Sequence, residues 1–231
     1  MAELKEGKDT NNTGKLKSLY SSPPSSGLNT ALRNELEAFA VSNKSRFAQD
    51  NVGNIYITRQ GSDPSLSGIA LTFPLDSSPS PHNSFSGALH TFLELLQTKT
   101  KCELCLLGWS SPGQSKVGQD VWEEEVSVEA AYEEFPELKC FDGRDDVSTF
   151  GCSALLEIIE VEGAALEVRG SPLLAEKARS YVPGSGTVGG EGPTSSRCPV
   201  VSICGEGAVG VGKRVVVEYS EYVAKLFENF D

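Results

Sequence analysis

Few side chains in this sequence carry the chemistry of a metal ligand, an acid or a nucleophile. Cys102 and Cys105 have the spacing of half a zinc site, but they sit in the apolar run Cys102-Glu103-Leu104-Cys105-Leu106-Leu107, which reads as a strand. Residues three apart on a strand point to opposite faces, so these thiolates are poorly placed to share an ion. Cys198 and Cys204 flank another apolar run, 199–203, without a second pair to complete a site. All six cysteines read as reduced, buried, small hydrophobes. The chain holds two histidines, His82 and His90, and His90 falls on the apolar face of a helical pattern, where a packed or capping role is usual. Gly205-Glu206-Gly207-Ala208-Val209-Gly210 has the spacing of a dinucleotide cradle. Because 211–217 reads as a continuing strand, we expect a hairpin with glycine turns instead. Asn11-Asn12-Thr13 is a glycosylation triplet that matters only to an exported chain.

The elements that would position these residues follow from periodicity. Residues 1–27 are polar, with Ser21-Ser22-Pro23-Pro24-Ser25-Ser26-Gly27 at their end, and read as a disordered tail before a single domain over 28–231. Leu32, Leu36, Phe39 and Ala40 share one face of a helix that Asn29 or Thr30 can cap. Strands are expected at 54–59, 69–73 and 102–107, with a helix over 87–97 between the last two. Residues 121–135 are acidic and partly helical, 155–161 a strand, 173–181 a helix, and 182–197 a glycine- and proline-rich connector. Strands at 200–204 and 214–217 and an amphipathic helix over 220–230 close the chain. The pattern predicts an α/β fold, a single-domain mixed sheet covered by helices.

The formal net charge of −12 makes nucleic acid and anionic membrane surfaces poor partners, leaving a small molecule or a protein. No stretch approaches the roughly 20 apolar residues of a membrane span, and no export signal opens the sequence, so a cytoplasmic location is expected.

Four segments, in order, carry a resemblance. They are Asp50-Asn51-Val52-Gly53-Asn54-Ile55-Tyr56; Leu71-Thr72-Phe73-Pro74-Leu75-Asp76 followed by Phe85-Ser86-Gly87; Leu106-Leu107-Gly108-Trp109-Ser110-Ser111-Pro112-Gly113; and Leu156-Glu157-Ile158-Ile159-Glu160-Val161-Glu162-Gly163. Together they resemble the catalytic domain of the dinuclear-zinc aminoacylase and carbamoylase superfamily, most closely its allantoate and N-carbamoyl amino acid amidohydrolase branch. The resemblance covers about 31–166 and, more weakly, the final strand and helix. It implies a zinc-exopeptidase-like fold in which the lid and dimerisation domain is deleted and replaced by the connector at about 182–197. A lid-mediated homodimer is then not expected.

In the family, histidines and carboxylates hold two zinc ions and an adjacent glutamate acts as general base on metal-bound water. The resemblance places Pro74 at the first ligand histidine, Ser86 at the bridging aspartate, Ser111 and Pro112 at the paired glutamates, and Ile159 at the histidine of the fourth segment. All five are lost ligand positions, so no metal and no other cofactor is expected, and the chain reads as a catalytically inactive homologue with a binding or regulatory role. Two alternatives stay open. One is a hydrolase of carbon–nitrogen bonds with metal-independent chemistry, using Asp76, His82 and Ser86 of the vestigial cleft as base and nucleophile. The other is an unrelated α/β interaction domain.

Overall fold

The computed structural model of the chain describes residues 9–22, 27–76, 84–144, 150–181 and 193–228. Seven strands form one mixed sheet in the order β1-β2-β4-β3-β5-β7-β6. They are β1 (Arg46–Gln49), β2 (Ile55–Arg59), β3 (Gly68–Pro74), β4 (Leu104–Trp109), β5 (Cys152–Glu160), β6 (Glu167–Gly170) and β7 (Val200–Gly205). The central strands β4, β3, β5 and β7 run parallel, while β1, β2 and β6 pair antiparallel at the two margins. The chain leaves β3 for β4 on one side and later returns to β5 on the other. The carboxyl ends of β3, β4 and β5 therefore meet at a topological switch point, where α/β folds keep their ligand crevices.

Alternation sorts the strand side chains onto two faces. Ile69, Leu71 and Phe73 of β3 and Leu156 and Ile158 of β5 join one apolar cluster, and it is covered by α1 (Asp9–Tyr20), α2 (Thr30–Ser42), α3 (Ser84–Leu96), α6 (Pro172–Arg179) and α7 (Ala208–Glu228). On the opposite face Ala70, Cys105, Leu107 and Leu155 pack with Trp109, Trp122 and Cys198, beneath α4 (Val117–Trp122). A third cluster, Leu28, Val52, Val117, Ala131, Leu138 and Phe141, is built from α4, α5 (Val128–Glu134) and a 3-10 helix at Pro136–Phe141, with the loops beside them. Cys102 belongs to the first face and Cys105 to the second, as strand spacing requires. Gly87 is fixed by packing: a Cβ there would collide with the Ile158 carbonyl, so this glycine lets α3 lie close on β5.

Two expectations about the chain's ends need correction. The segment read as a tail contains α1, which inserts Leu16 and Tyr20 into the core at 0% and 2% exposure. Its polar composition hides a last turn in which Leu16, Leu19 and Tyr20 fall together, and packing rather than intrinsic propensity holds the helix. Residues 1–8 and 23–26 of that segment lie outside the described residues. The strand expected at 214–217, and with it the glycine hairpin, is replaced by α7. Val211, Val215, Val216, Tyr219, Val223 and Ala224 recur at helical spacing and all face the core, so tertiary burial overrides the β preference of the valines.

Candidate functional site

The switch point is where the chemistry of this fold would be expected, and it is occupied by a buried polar network. Asp76 follows β3 by two residues, and Ser110 and Ser111 follow β4 directly. Arg33 reaches them from the first turn of α2, whose N-cap Asn29 accepts from the Leu32 N–H at 3.1 Å. The Arg33 guanidinium pairs with both oxygens of Asp76: its Nη1 with Oδ1, and its Nη2 with Oδ2 at 2.9 Å. Oδ1 also accepts from the Asn29 N–H at 2.7 Å, and Oδ2 from the Ser111 N–H at 3.1 Å. Ser111 Oγ in return accepts from the Asp76 N–H at 3.1 Å, and Ser110 Oγ accepts from Arg33 Nη2 at 2.8 Å. The side chains of Arg33 and Asp76 are 4% and 0% exposed, so the pair is sealed from water. Phe141 supplies part of the seal, its ring centroid 5.1 Å from the guanidinium carbon.

The network continues along the first resembling segment. Asn54 Oδ1 accepts from the Ser110 N–H at 2.8 Å, and its Nδ2 donates to the Gly118 carbonyl and to Asp50 Oδ2. Asp50 also accepts from the Val52 and Asn54 N–H groups and from the Tyr56 hydroxyl. Burial pushes the Asp50 carboxyl above its ordinary value, and these hydrogen bonds offset part of that rise. Gly53 keeps a positive φ of 82°, and Phe141 packs where its Cβ would stand. This segment is a structural clasp over the carboxyl ends of the strands. Tyr20, from the unforeseen α1, stacks on Phe85 with centroids 4.4 Å apart, and burial with the nearby Asp76 charge raises its hydroxyl strongly.

Asp76, His82 and Ser86 do not form an accessible base–nucleophile set in what is described. Asp76 is buried and has four donors on its two oxygens, as an unpaired buried carboxylate would be too costly. Ser86 is half-buried in the first turn of α3, and His82 lies outside the described residues. His90 is half-buried on α3, held below the ordinary imidazole value by burial and by Lys17. Pro74 and Ile159 both point to the second face, at the ends of β3 and β5, while Ser111 and Pro112 are buried beyond β4.

This donor set does not suit a zinc centre. Pro74 and Ile159 have no ligating atom, Ser86 and Ser111 offer neutral hydroxyls, and Ser111 Oγ already accepts from the Asp76 amide. Among the described residues no group of three His, Cys, Asp or Glu side chains could hold an ion.

The Gly205–Gly210 turn does open a helix, as a phosphate cradle would. Two of its amides are already used: the Gly207 and Val209 N–H groups donate to Glu160 Oε1 and Oε2 at 2.7 and 2.8 Å. An internal carboxylate from the end of β5 takes the anion position.

Beside the buried network lies an open cleft of about 370 Å³, whose walls include Pro74, Trp109, Ser111, Lys116, Gln119 and Glu157. Among the described residues no helix is long and apolar enough to cross a membrane.

No protein-family model matches the sequence, and none of the curated proteins matches it. Solved structures do. A hydantoinase/carbamoylase-family amidase from Burkholderia vietnamiensis is 13% identical with a TM-score of 0.52, the match covering 70% of this chain and 49% of the amidase. This chain thus spans about half the length of that protein. An amidase of the same family from Burkholderia ambifaria is also 13% identical, with a TM-score of 0.51 over 94% of this chain and 73% of the other. A candidate Zn-dependent exopeptidase from Bacteroides vulgatus is 13% identical with a TM-score of 0.59, covering 91% and 93% of the two chains. At such identities the fold is what is shared, and its mixed sheet, switch point and helical cover are those described above. This chain has the α/β fold of the hydantoinase/carbamoylase-family amidases and of the zinc-exopeptidase-like proteins.

Proposed function

We propose that this chain is a non-hydrolytic relative of the amidohydrolases and peptidases that share its fold, and that it acts by binding. The observation that carries the reading is the saturation of Asp76. Its carboxylate has a buried guanidinium and two backbone amides around it, so neither a metal ion nor a proton in transit has a free lone pair to use. We read Pro74, Ser86, Ser111, Pro112 and Ile159 as lost ligand positions, and the buried ion pair as what fills the old reaction centre.

The adjoining cleft is the proposed binding site. Lys116 and Glu157 bring opposite charges to its walls, Gln119 an amide, and Trp109 and Pro74 apolar surface. That lining suits a compact molecule with both an anionic and an amide or cationic group. We read residues 182–197, of which 182–192 lie outside the described residues, as a connector in place of a lid, and on that reading the chain is expected to run as a monomer in light scattering; a tight homodimer would contradict this.

The test combines elemental analysis with activity. The purified, dialysed chain should hold no stoichiometric zinc, manganese or cobalt, and should not turn over N-carbamoyl amino acids or allantoate when zinc or manganese is added. One or two ions per chain that survive a weak chelator, or metal-dependent turnover, would overturn the reading.

A further inference from the structure

Cys152 and Cys198 come together on the second face of the sheet. Cys152 opens β5, and Cys198 lies two residues before β7, the parallel neighbour in which Val200 is level with Leu155. Their sulfurs are 3.5 Å apart and unbonded. A disulfide needs about 2.05 Å, so the sulfurs must approach to bond, and Cys198 sits just outside the strand ladder, two residues before Val200. Cys198 also lines an open cleft of about 710 Å³ with Ser195, Ser196 and Arg197 in its wall. Cys198 itself is 7% exposed.

From these contacts we infer that Cys152 and Cys198 form a redox-active dithiol, a modification site at which Cys198 is the nucleophile and Cys152 the resolving thiol for a hydroperoxide.

The surroundings distinguish the two sulfurs. The Cys198 thiol is held below its ordinary value, first by its hydrogen bond with Cys152, then by the Ser195 hydroxyl and the Arg197 charge, against burial and Glu123. The Cys152 thiol is driven well up by Cys198, by burial and by Cys105 from β4, with its Sγ 3.2 Å from the Ala154 carbonyl. From the first face of the sheet, Tyr219 of α7 donates its hydroxyl to the Ser153 carbonyl at 3.0 Å, and burial and then Cys198 push that hydroxyl up to about 12. Cys198, on the cleft wall beside the Ser195 hydroxyl and the Arg197 charge, is the thiol placed to react first. The segment carrying Cys198 is latched to the end of α4. Arg197 pairs with Glu124 and lies over the Trp122 ring at 5.0 Å, and Ser196 donates twice to Glu123 Oε2 at 3.3 and 3.4 Å.

The chemistry balances with hydrogen peroxide as oxidant. The Cys198 thiolate attacks one peroxide oxygen; an S–O bond forms, the O–O bond breaks, and hydroxide leaves to become water. Cys152, losing its proton, then attacks the sulfenyl sulfur of Cys198. The S–S bond forms, the S–O bond breaks, and the second hydroxide takes a proton to become water. Two electrons pass from the sulfurs to the peroxide.

The test uses the full chain with a small molar excess of hydrogen peroxide, followed by alkylation, digestion and mass spectrometry. The expected product is an intramolecular Cys152–Cys198 cross-link that dithiothreitol reverses, with Cys102, Cys105, Cys140 and Cys204 recovered as alkylated thiols. Cys152→Ser should accumulate a sulfenic acid on Cys198, trapped as its dimedone adduct. Arg197→Ala should slow cross-linking by about threefold or more, because less Cys198 is thiolate at neutral pH. Absence of the cross-link in the native chain, a cross-link no more frequent than others among the six cysteines, or a sulfenic acid that forms first on Cys152 would each refute the assignment. The cross-link is read on the native chain, so a variant that fails to fold does not remove the test.

Discussion

Removing Arg33 should cost the fold far more than removing an average surface cation. In Arg33→Met the methylene stem is replaced by a side chain of similar reach, but Asp76 is left as a buried carboxylate with only the Asn29 and Ser111 amides. Breaking a buried pair from one side costs about 3–5 kcal/mol. In a chain of this size each kcal/mol lowers Tm by about 2–4 °C, so a fall of about 6–20 °C is expected. The two remaining amides argue for the lower half of that range; loss of the contact to Ser110 Oγ and of the stacking on Phe141 argues against its floor. Asp76→Asn should be comparably damaging, since it leaves the guanidinium buried beside a neutral amide. The double variant Arg33→Met/Asp76→Asn should recover part of the loss, with a coupling of about 1–3 kcal/mol between the sites. Thermal unfolding followed by circular dichroism, with urea titrations of the same four proteins, measures every term. Single variants that lose less than about 3 °C, or a double variant whose loss equals the sum of the singles, would show that this pair does not organise the switch point.

Rebuilding the family's ligand set should fail for a structural reason. Ser111→Glu would push a second carboxylate into the reciprocal Ser111–Asp76 contacts, so the chain with Pro74→His, Ser86→Asp, Ser111→Glu, Pro112→Glu and Ile159→His should unfold at lower temperature than the native one and show no turnover of N-carbamoyl amino acids with added zinc. Turnover by that variant would refute this. The His90 ring gives a pH effect: its folded value lies below the unfolded value of about 6.5, so the fold binds fewer protons and its stability is full above that pH and declines as pH falls through it. His90→Gln should flatten the stability profile in that acidic window while changing little at pH 8, and an unchanged profile in urea titrations across the window would contradict it.

The parts of the architecture written in local periodicity could be read before any coordinates. Leu32, Leu36 and Phe39 announced α2, and the apolar runs at 69–73 and 102–107 announced two strands of the sheet. The failures share one cause, which is that the deciding contact was distant in sequence. Tyr20 belongs to a helix only because Phe85 and Phe73 receive it. The valines of 211–217 favour a strand locally, and the cluster they complete lies on other elements. At the switch point the sequence located Asp76 but not its partner, since an arginine 43 residues earlier carries no local mark of that pairing. The resemblance of the Asp50–Tyr56 segment was legible as pattern, whereas its role as a clasp required the Asn54 contacts to Ser110 and Gly118. The approach of Cys152 to Cys198 depends on β5 lying beside β7, a matter of strand order and not of spacing.

The carboxylate of Glu160 at the start of α7 has a consequence for ligands. A phosphate approaching the Gly205–Gly210 turn meets amides already held by a rival that is covalently tethered to the neighbouring strand. Such a tethered competitor acts at an effective concentration in the millimolar range or above, so a free anion of ordinary abundance is outcompeted before its own affinity matters. The glycine pattern survives here as a self-ligated turn between β7 and α7 that Glu160 ties to β5, and a nucleotide would have to open that tie before it could bind.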